Sequence, residues 1–305
     1  MAGISIIIIT YNRPADSLSL LQDIQRLQHR ERLLQEVILL NNASTADYSE
    51  VTVWLNTAVD FPARLVDAPE NLGVSRGRNY AAAMATGDFL FFLDDDTCLE
   101  DPELLLKIEQ AFARPVAGNR PMGVMGCKVY YAENRQIQQT AFPHKDFEGH
   151  RDLPFFLTSY YVGCAHIFRR AAWLAAGPYP VGFFYGMEEY DESYRVLEAG
   201  YCIAYDASLE VFHKESPLGR KPRAEQLRHM WVNKSTVAWK YLPLPYFLTT
   251  TLAWSGFYLQ QTGGQFKEFF RGWKEVLAIP RRHQKQPVGS GTMAYLRSVK
   301  ARLWF

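Results

Sequence analysis

Apolar residues fall in short runs along the first half of the chain, with helical spacing between the runs. Ile4–Ile9 is nearly unbroken, which predicts a buried strand. From Pro14 to Leu27 the apolar positions 20, 21, 24 and 27 predict a helix, with Pro14 near its start. Glu36–Leu40 predicts a second strand and Ala63–Val66 a weak third. Val74–Met84 reads as a helix, Asp88–Leu93 as a strand, and Pro102–Phe112 as a helix with Leu104, Leu105, Ile108 and Phe112 on one side. Repeated strand–helix units imply an α/β fold with a mostly parallel sheet covered by helices.

The second half is less regular. Met122–Tyr131 and Ser159–Phe168 predict strands, and Thr140–Asp152 a polar surface loop. Arg169–Ala176 predicts a short helix before Gly177-Pro178, and Glu188–Ala199 a helix ended by Gly200. Tyr201–Tyr205 and Leu209–Phe212 read as two short strands, Lys214–Arg223 as a basic Pro/Gly loop, and Glu225–Trp239 as a helix.

Length and composition suit one large domain or a domain with an extension: 305 residues, 48% hydrophobic, 21% charged. Ile4–Ile9 is too short for a signal peptide and no basic segment precedes it, so secretion is not expected. Cys98, Cys127, Cys164 and Cys202 form no Cys-x-x-Cys pair, which disfavours a zinc site and fits reduced thiols in a cytosolic protein. The overall charge of +1 hides a division. Residues 1–213 carry 17 Lys and Arg against 28 Asp and Glu; residues 214–305 carry 16 against 4. The basic part also holds the uncharged stretch Tyr241–Phe266, rich in aromatic and leucine residues. That pairing points to an anionic membrane surface rather than to nucleic acid. Pro243, Pro245, three threonines and Gly256 dilute the stretch, so a spanning helix is not expected. An interfacial helix flanked by Arg271, Lys274, Arg281, Arg282 and Lys285 is one reading. Packing against the rest of the chain, or a dimer interface, is the other.

The candidate chemistry begins where Phe89–Leu93 runs into Asp94-Asp95-Asp96. In open α/β sheets ligands sit outside the carboxyl ends of the strands. Three carboxylates there repel one another unless a cation lies between them, and hard oxygen ligands suit Mg2+ or Mn2+ carrying a phosphate. A capping acidic turn is the alternative. No Gly-x-Gly-x-x-Gly follows Ile4–Ile9 and there is no Walker-type loop, so a dinucleotide dehydrogenase or P-loop enzyme is disfavoured. The first strand ends instead in Thr10-Tyr11-Asn12-Arg13-Pro14, the second in Asn41-Asn42-Ala43-Ser44-Thr45, and Asn71–Asn79 precedes the acidic strand.

These segments, in this order, resemble the family 2 glycosyltransferases of the GT-A fold, including rhamnosyltransferase-like enzymes of bacterial surface polysaccharides. The resemblance rests on ISIIIITYNRP, LLNNAST, NLGVSRGRNYAAAMATGDFLFFLDDDT, GMEEYDESYRVLEAGY and VFH, and covers roughly residues 4–215. It implies an inverting, metal-dependent transfer from a nucleotide-sugar such as dTDP-rhamnose or a UDP-hexose. The acceptor is a glycan or lipid-linked glycan hydroxyl, at the cytoplasmic face of the inner membrane. It implies a catalytic domain over 1–213, with a nucleotide-sugar half 1–97 and an acceptor half 98–213, and a helical extension over 214–305. By the same resemblance Asp94, Asp96 and His213 hold Mn2+ or Mg2+. Thr10, Tyr11 and Asn12 cradle the nucleoside, Asn41 lies where relatives place a base-reading Asp, Asp95 contacts the ribose, and Arg78 pairs with the diphosphate. Glu189 falls on the catalytic base, usually Asp, with Glu188 the alternative, and Asp191 orients the acceptor or Arg195. The loop 214–223 is either a lid over the diphosphate or a basic linker. Two rivals stay open: a sugar-1-phosphate nucleotidyltransferase, and an inactive sugar- or lipid-binding scaffold.

Overall fold

The computed structural model describes residues 3–115, 120–183, 186–215 and 222–304. In the first half the strands are β1 (Ile4–Thr10), β2 (Leu34–Asn41), β3 (Ala63–Asp67), β4 (Phe89–Asp94) and the two-residue β5 (Thr97–Cys98). The helices between and after them are α1 (Pro14–Arg26), α2 (Arg30–Leu33), α3 (Ser49–Thr57), α4 (Gly73–Ala82) and α5 (Leu104–Ala113). The expected strands and the helices at 14, 74 and 102 are present; α2, α3 and β5 carry too little apolar periodicity to be legible. The second half contains β6 (Met122–Tyr131), α6 (Phe147–His150), β7 (Phe155–Thr158), β8 (Ala165–Arg169), α7 (Arg170–Ala176), α8 (Glu188–Glu198) and β9 (Cys202–His213).

Among the described residues the strands form one nine-stranded sheet in the order β3-β2-β1-β4-β8-β6-β9-β5, with β7 also paired to β9. The β3-β2-β1-β4 half is parallel. Beyond it, β8 runs antiparallel to both β4 and β6, while β6 and β9 are parallel. The sheet is therefore mixed rather than mostly parallel, because β7 and β8 fold back through a loop instead of through a helical crossover. That loop, residues 159–164, occupies the start of the segment expected to be strand. The two strands expected over 201–212 are one strand with a bulge: Cys127 pairs Asp206 and Lys128 pairs Glu210, leaving three extra residues on β9.

Two apolar clusters cover the sheet. One packs α1 and α5 on Ile4, Ile6, Ile8 and Phe91. The other begins from Ile7, Leu40 and Phe92 and continues without a break into the C-terminal helices α9 (Arg223–Tyr241), α10 (Leu244–Thr262), α11 (Phe266–Arg282) and α12 (Ser290–Ser298). Many of the tail's aromatic residues are core. Trp231 is fully buried, donates Nε1–H to the Thr251 carbonyl at 3.1 Å, and is ringed by Tyr258, Phe269 and Trp273. Buried Arg228 joins α9 to Glu268 and Glu275 of α11 at 2.7 and 2.6 Å. Lys240 of α9 pairs with Asp191 of α8, and Tyr241 stacks on Tyr194 at 5.2 Å. No helix among the described residues is long and apolar enough to cross a membrane. Leu244, Leu248 and Leu252 of α10, with Phe266, Phe270 and Leu277 of α11, remain exposed.

Gly272 sets how closely α11 approaches α9, since a Cβ there would lie 2.6 Å from Trp231 Cζ3. Ala would gain about 1 kcal/mol of helix propensity, but overpacking a fully buried ring costs about 1–3 kcal/mol. Gly272→Ala is therefore expected to lower the thermal midpoint by a few degrees. A raised midpoint would show that the α9–α11 contact yields.

Candidate active site

Parallel pairing places the strand ends in one row. Thr10 lies opposite Asn41, Asn41 opposite Asp67, and Ile9 opposite Asp94. The strand order changes direction between β1 and β4, so this row borders the crevice where open sheets bind ligands. After Asp94 the chain turns, closed by the Thr97 hydroxyl donating to the Asp94 carbonyl at 2.8 Å. It then pairs with the end of β9, Thr97 opposite His213, and Lys214 N–H donates to the Asp96 carbonyl at 3.0 Å. The turn and this pairing bring together residues 117 positions apart.

Ligand atoms of Asp94, Asp96 and His213 lie within 4.8 Å of one another. His213 Nδ1 is 3.0 Å from Gln138 Oε1, and the same amide's Nε2–H2 donates to Thr140 Oγ1 at 3.1 Å. Nδ1 therefore carries a proton and Nε2 faces Asp96 Oδ1 at 3.2 Å. A lone pair cannot rest against a carboxylate, so a proton or a cation must lie between them. Without a cation, burial opposes protonation but the hydrogen bond and charge of Asp96 outweigh it, and the imidazole pKa is raised. Two carboxylates and an imidazole held by an amide fit Mn2+ or Mg2+.

Arg13 closes the other side, with Nη1 2.9 Å from Asp95 and 3.0 Å from Asp96. Burial pushes the Asp95 carboxyl up to about 6, against the pull of Arg13. Asp95 also accepts from Tyr11 N–H at 3.4 Å. Of the three residues expected to cradle a nucleoside, Thr10 is fully buried against Tyr48 and Ser17, and Asn12 staples β1 to the loop after β2 through Thr45 and Ala46. Tyr11 is exposed at the crevice. Asn41 donates to Asp67 Oδ1 at 2.8 Å, so a carboxylate does stand beside position 41, on the neighbouring strand.

Arg78 is central to the group. Its side chain is buried, and its two terminal nitrogens reach Asp94 at 3.1 Å, the Gly163 carbonyl at 2.9 Å, Glu189 at 3.3 Å and Glu188 at 3.6 Å. It is neither a surface ion pair nor a free arm. Burial opposes its charge, and Asp94 leads the groups that outweigh burial and raise its pKa. Glu188 is buried with one oxygen lacking a hydrogen bond; burial first, and then repulsion by Glu189, raise its pKa. Glu189 lies against Gly163, where a Cβ would fall 2.1 Å from its carboxylate. The 159–164 loop is pinned from behind: Tyr161 O–H meets Tyr179 at 2.9 Å, Tyr179 meets His166 Nε2 at 2.8 Å, and His166 Nδ1 lies 3.1 Å from the carbonyls of Val162 and Gly163. Asp191 is not brought to this group. It is buried on the opposite side of α8 between Arg195 and Lys240.

In front of Arg78 and the glutamates opens a cavity of about 590 Å³, lined also by Asp94, Tyr160, Tyr190 and Arg302. Sequence reading missed Arg13, Gln138, Gly163 and this aromatic and basic wall. Arg13 had a signal, a cation beside a motif opposite an acidic triplet; the others depend on irregular loops. The arrangement presents a cation site at the strand ends and a carboxylate, Glu189, across an open pocket from it.

Residues 5–173 match the family described as glycosyl transferase family 2. Two proteins of Haemophilus influenzae align with parts of the chain. An uncharacterized protein is 33% identical over 114 residues, covering 36% of this chain and 58% of its own. An uncharacterized glycosyltransferase is 34% identical over 107 residues, 35% of this chain and 33% of its own. The chain thus spans well under two thirds of either relative. The mannosyltransferase PcManGT from Pyrobaculum calidifontis, solved with GDP-Man and Mn2+, superposes with a TM-score of 0.59 at 18% identity, covering 98% of this chain and 84% of that one. Staphylococcus aureus TarS 1–349 with UDP-GlcNAc gives 0.61 at 16% identity, with 92% and 82% covered. GalNAc-T7 with UDP, GalNAc and Mn2+ gives 0.64 at 13%, with 92% and 58% covered. The sheet, its strand-end crevice and the matched segment agree: the chain belongs to glycosyl transferase family 2 and has the GT-A fold.

Proposed function

We propose that the chain is an inverting enzyme that moves a hexose or rhamnose from a nucleoside-diphosphate sugar to a hydroxyl of a glycan or lipid-linked glycan by direct displacement. The observation that carries this reading is the Arg78 bridge, which holds Asp94 of the cation site and Glu189 of the open pocket on one guanidinium. A divalent cation on Asp94, Asp96 and His213 would neutralise charge growing on the diphosphate as it leaves. Tyr11, exposed at the crevice, offers a face for the base, and Asn41 with Asp67 offers polar edges.

Glu189 is the base. Its carboxylate takes the proton of the acceptor hydroxyl as the oxygen attacks the anomeric carbon from the face opposite the diphosphate. Glu188 suits this less, because it keeps a proton to higher pH and is almost closed to solvent. Asp191 supports the reaction only by anchoring α9 to α8. Arg78 fixes the Glu189 carboxylate and cannot serve the diphosphate without releasing it.

The C-terminal helices support a second part of the reading. Exposed Leu244, Leu248, Leu252, Phe266, Phe270 and Leu277 lie on α10 and α11, with basic residues such as Arg271 and Lys274 on α11. That combination suits peripheral contact with an anionic leaflet. The division into a catalytic part over 1–213 and an extension over 214–305 is kept as a functional one. The proposed lid at 214–223 lies mostly outside the described residues.

Two experiments test these assignments. Glu189→Gln is expected to lower sugar transfer by at least about 100-fold, within the range general bases supply, while nucleotide affinity stays within about twofold. Gly163→Ala should also lower transfer, with some loss of stability, since its Cβ would displace the Glu189 carboxylate from Arg78 and lie 3.1 Å from Arg78 Nη2. Transfer retained in Glu189→Gln and lost in Glu188→Gln would reassign the base. In flotation with vesicles, the protein should bind those containing phosphatidylglycerol, and Leu248→Ser/Leu252→Ser should bind several-fold less. Equal binding to neutral vesicles, or none to either, would refute the membrane contact.

A further inference from the structure

The cavity has a second wall that the transfer chemistry leaves unused. One residue on from Glu189, Tyr190 stacks with Tyr160 at 4.5 Å between ring centres, and both rings line the cavity. Lys234 of α9 places Nζ 3.3 Å from the centre of the Tyr190 ring. Arg302, from the chain's C-terminal end, also lines the cavity. Both cations come from the basic extension, and among the described residues neither makes an ion pair or a hydrogen bond.

Lys234 is 8% exposed. Burial first, and then the charge of Arg302, lower its ammonium pKa to about 7. No carboxylate offsets it. Glu188 and Glu189, which line the same cavity as Arg302, pair with Arg78. Lys234 is buried behind Tyr190, and Arg302 is exposed at the cavity; a buried cation with a like charge near it and no carboxylate costs stability, and a bound anion reduces that cost. Tyr190 is covered by Tyr160 on one face and by Lys234 on the other, so Tyr160, which lines the cavity, is the ring that suits the apolar face of a sugar, and Lys145 on the cavity rim adds to the positive field.

Resting on the transferase reading above, we propose that this wall is the acceptor subsite, and that it selects an acceptor sugar bearing an anionic group, a phosphate or a carboxylate. The sugar lies against the Tyr160 ring with one hydroxyl toward Glu189, and its anionic group meets Arg302, while Lys234 adds its charge from behind Tyr190. The basic extension thereby completes the site.

The test is calorimetric binding to the full chain of glucose 6-phosphate, glucuronate, methyl glucoside, inorganic phosphate and a short prenyl diphosphate, with GDP, UDP and dTDP plus Mn2+ measured in parallel. Glucose 6-phosphate or glucuronate should bind at least tenfold tighter than methyl glucoside if the charge is on the sugar ring. The prenyl diphosphate should do so if the charge is the linkage to a lipid. Arg302→Gln and Lys234→Met should each remove most of that preference while nucleotide affinity is unchanged. Equal binding of charged and neutral sugars, a preference that survives both substitutions, or inorganic phosphate binding as tightly as every sugar or prenyl phosphate would overturn the proposal. If none of GDP, UDP and dTDP binds with Mn2+ while the charged sugars still do, the transferase reading fails and the anion subsite stands.

Discussion

One buried guanidinium constrains the whole site. Arg78 sits on α4, beneath the crevice, and its side chain is surrounded by carboxylates from two distant elements and a loop carbonyl. A buried charge without partners is expensive, and removing one side of a buried pair typically costs about 3–5 kcal/mol. The position of Arg78 therefore fixes where the end of β4, the first turn of α8 and the 159–164 loop can lie. Donor-side and acceptor-side groups are held in register by one residue rather than by separate scaffolds. The network behind it, from Tyr161 through Tyr179 to His166, keeps the loop carbonyls turned toward the guanidinium.

The charge division along the chain gains a physical meaning from this. The acidic part carries carboxylates at the strand ends and on α8, each set needing cations. The basic part is not a detached tail. Its aromatic residues extend the sheet's own apolar cluster, Lys240 neutralises Asp191, Arg302 lines the cavity, and Lys234 lies over the Tyr190 ring that borders it. Tyr246 packs on Trp304 at 4.3 Å, tying the last residues back to α10. The hydrophobic stretch that composition alone could assign to a membrane is divided by the structure: one face of α10 is core and the other remains exposed.

Much of the fold was legible because β1, β2 and β4 are apolar runs with clear ends. The family resemblance grouped Asp94, Asp96 and His213, and the structure brings their ligand atoms within 4.8 Å of one another. What was not legible follows from irregular chain. β7 and the 159–164 loop carry no periodicity, so the antiparallel inversion in the sheet was missed, and with it Gly163. The family resemblance assigned Arg78 to a diphosphate; a sequence shows a guanidinium's reach but not that Asp94, Glu188 and Glu189 surround it. Asp191 was assigned through the family resemblance to orient the acceptor or Arg195; a helix turns it about 200° from Glu189, onto Arg195, as the second of these readings has it, and onto Lys240. Gln138, which orients His213, is a lone amide that no pattern distinguishes.

The most direct test of the central claim is a crystal structure with Mn2+ and a nucleoside diphosphate, using the anomalous signal of manganese. The account predicts a manganese peak bonded to Asp94, Asp96 and His213 Nε2, with the diphosphate on its open side and Arg78 still joining Asp94 to Glu189. A diphosphate seated directly on Arg78 with Glu189 released, or manganese bound away from His213, would contradict it.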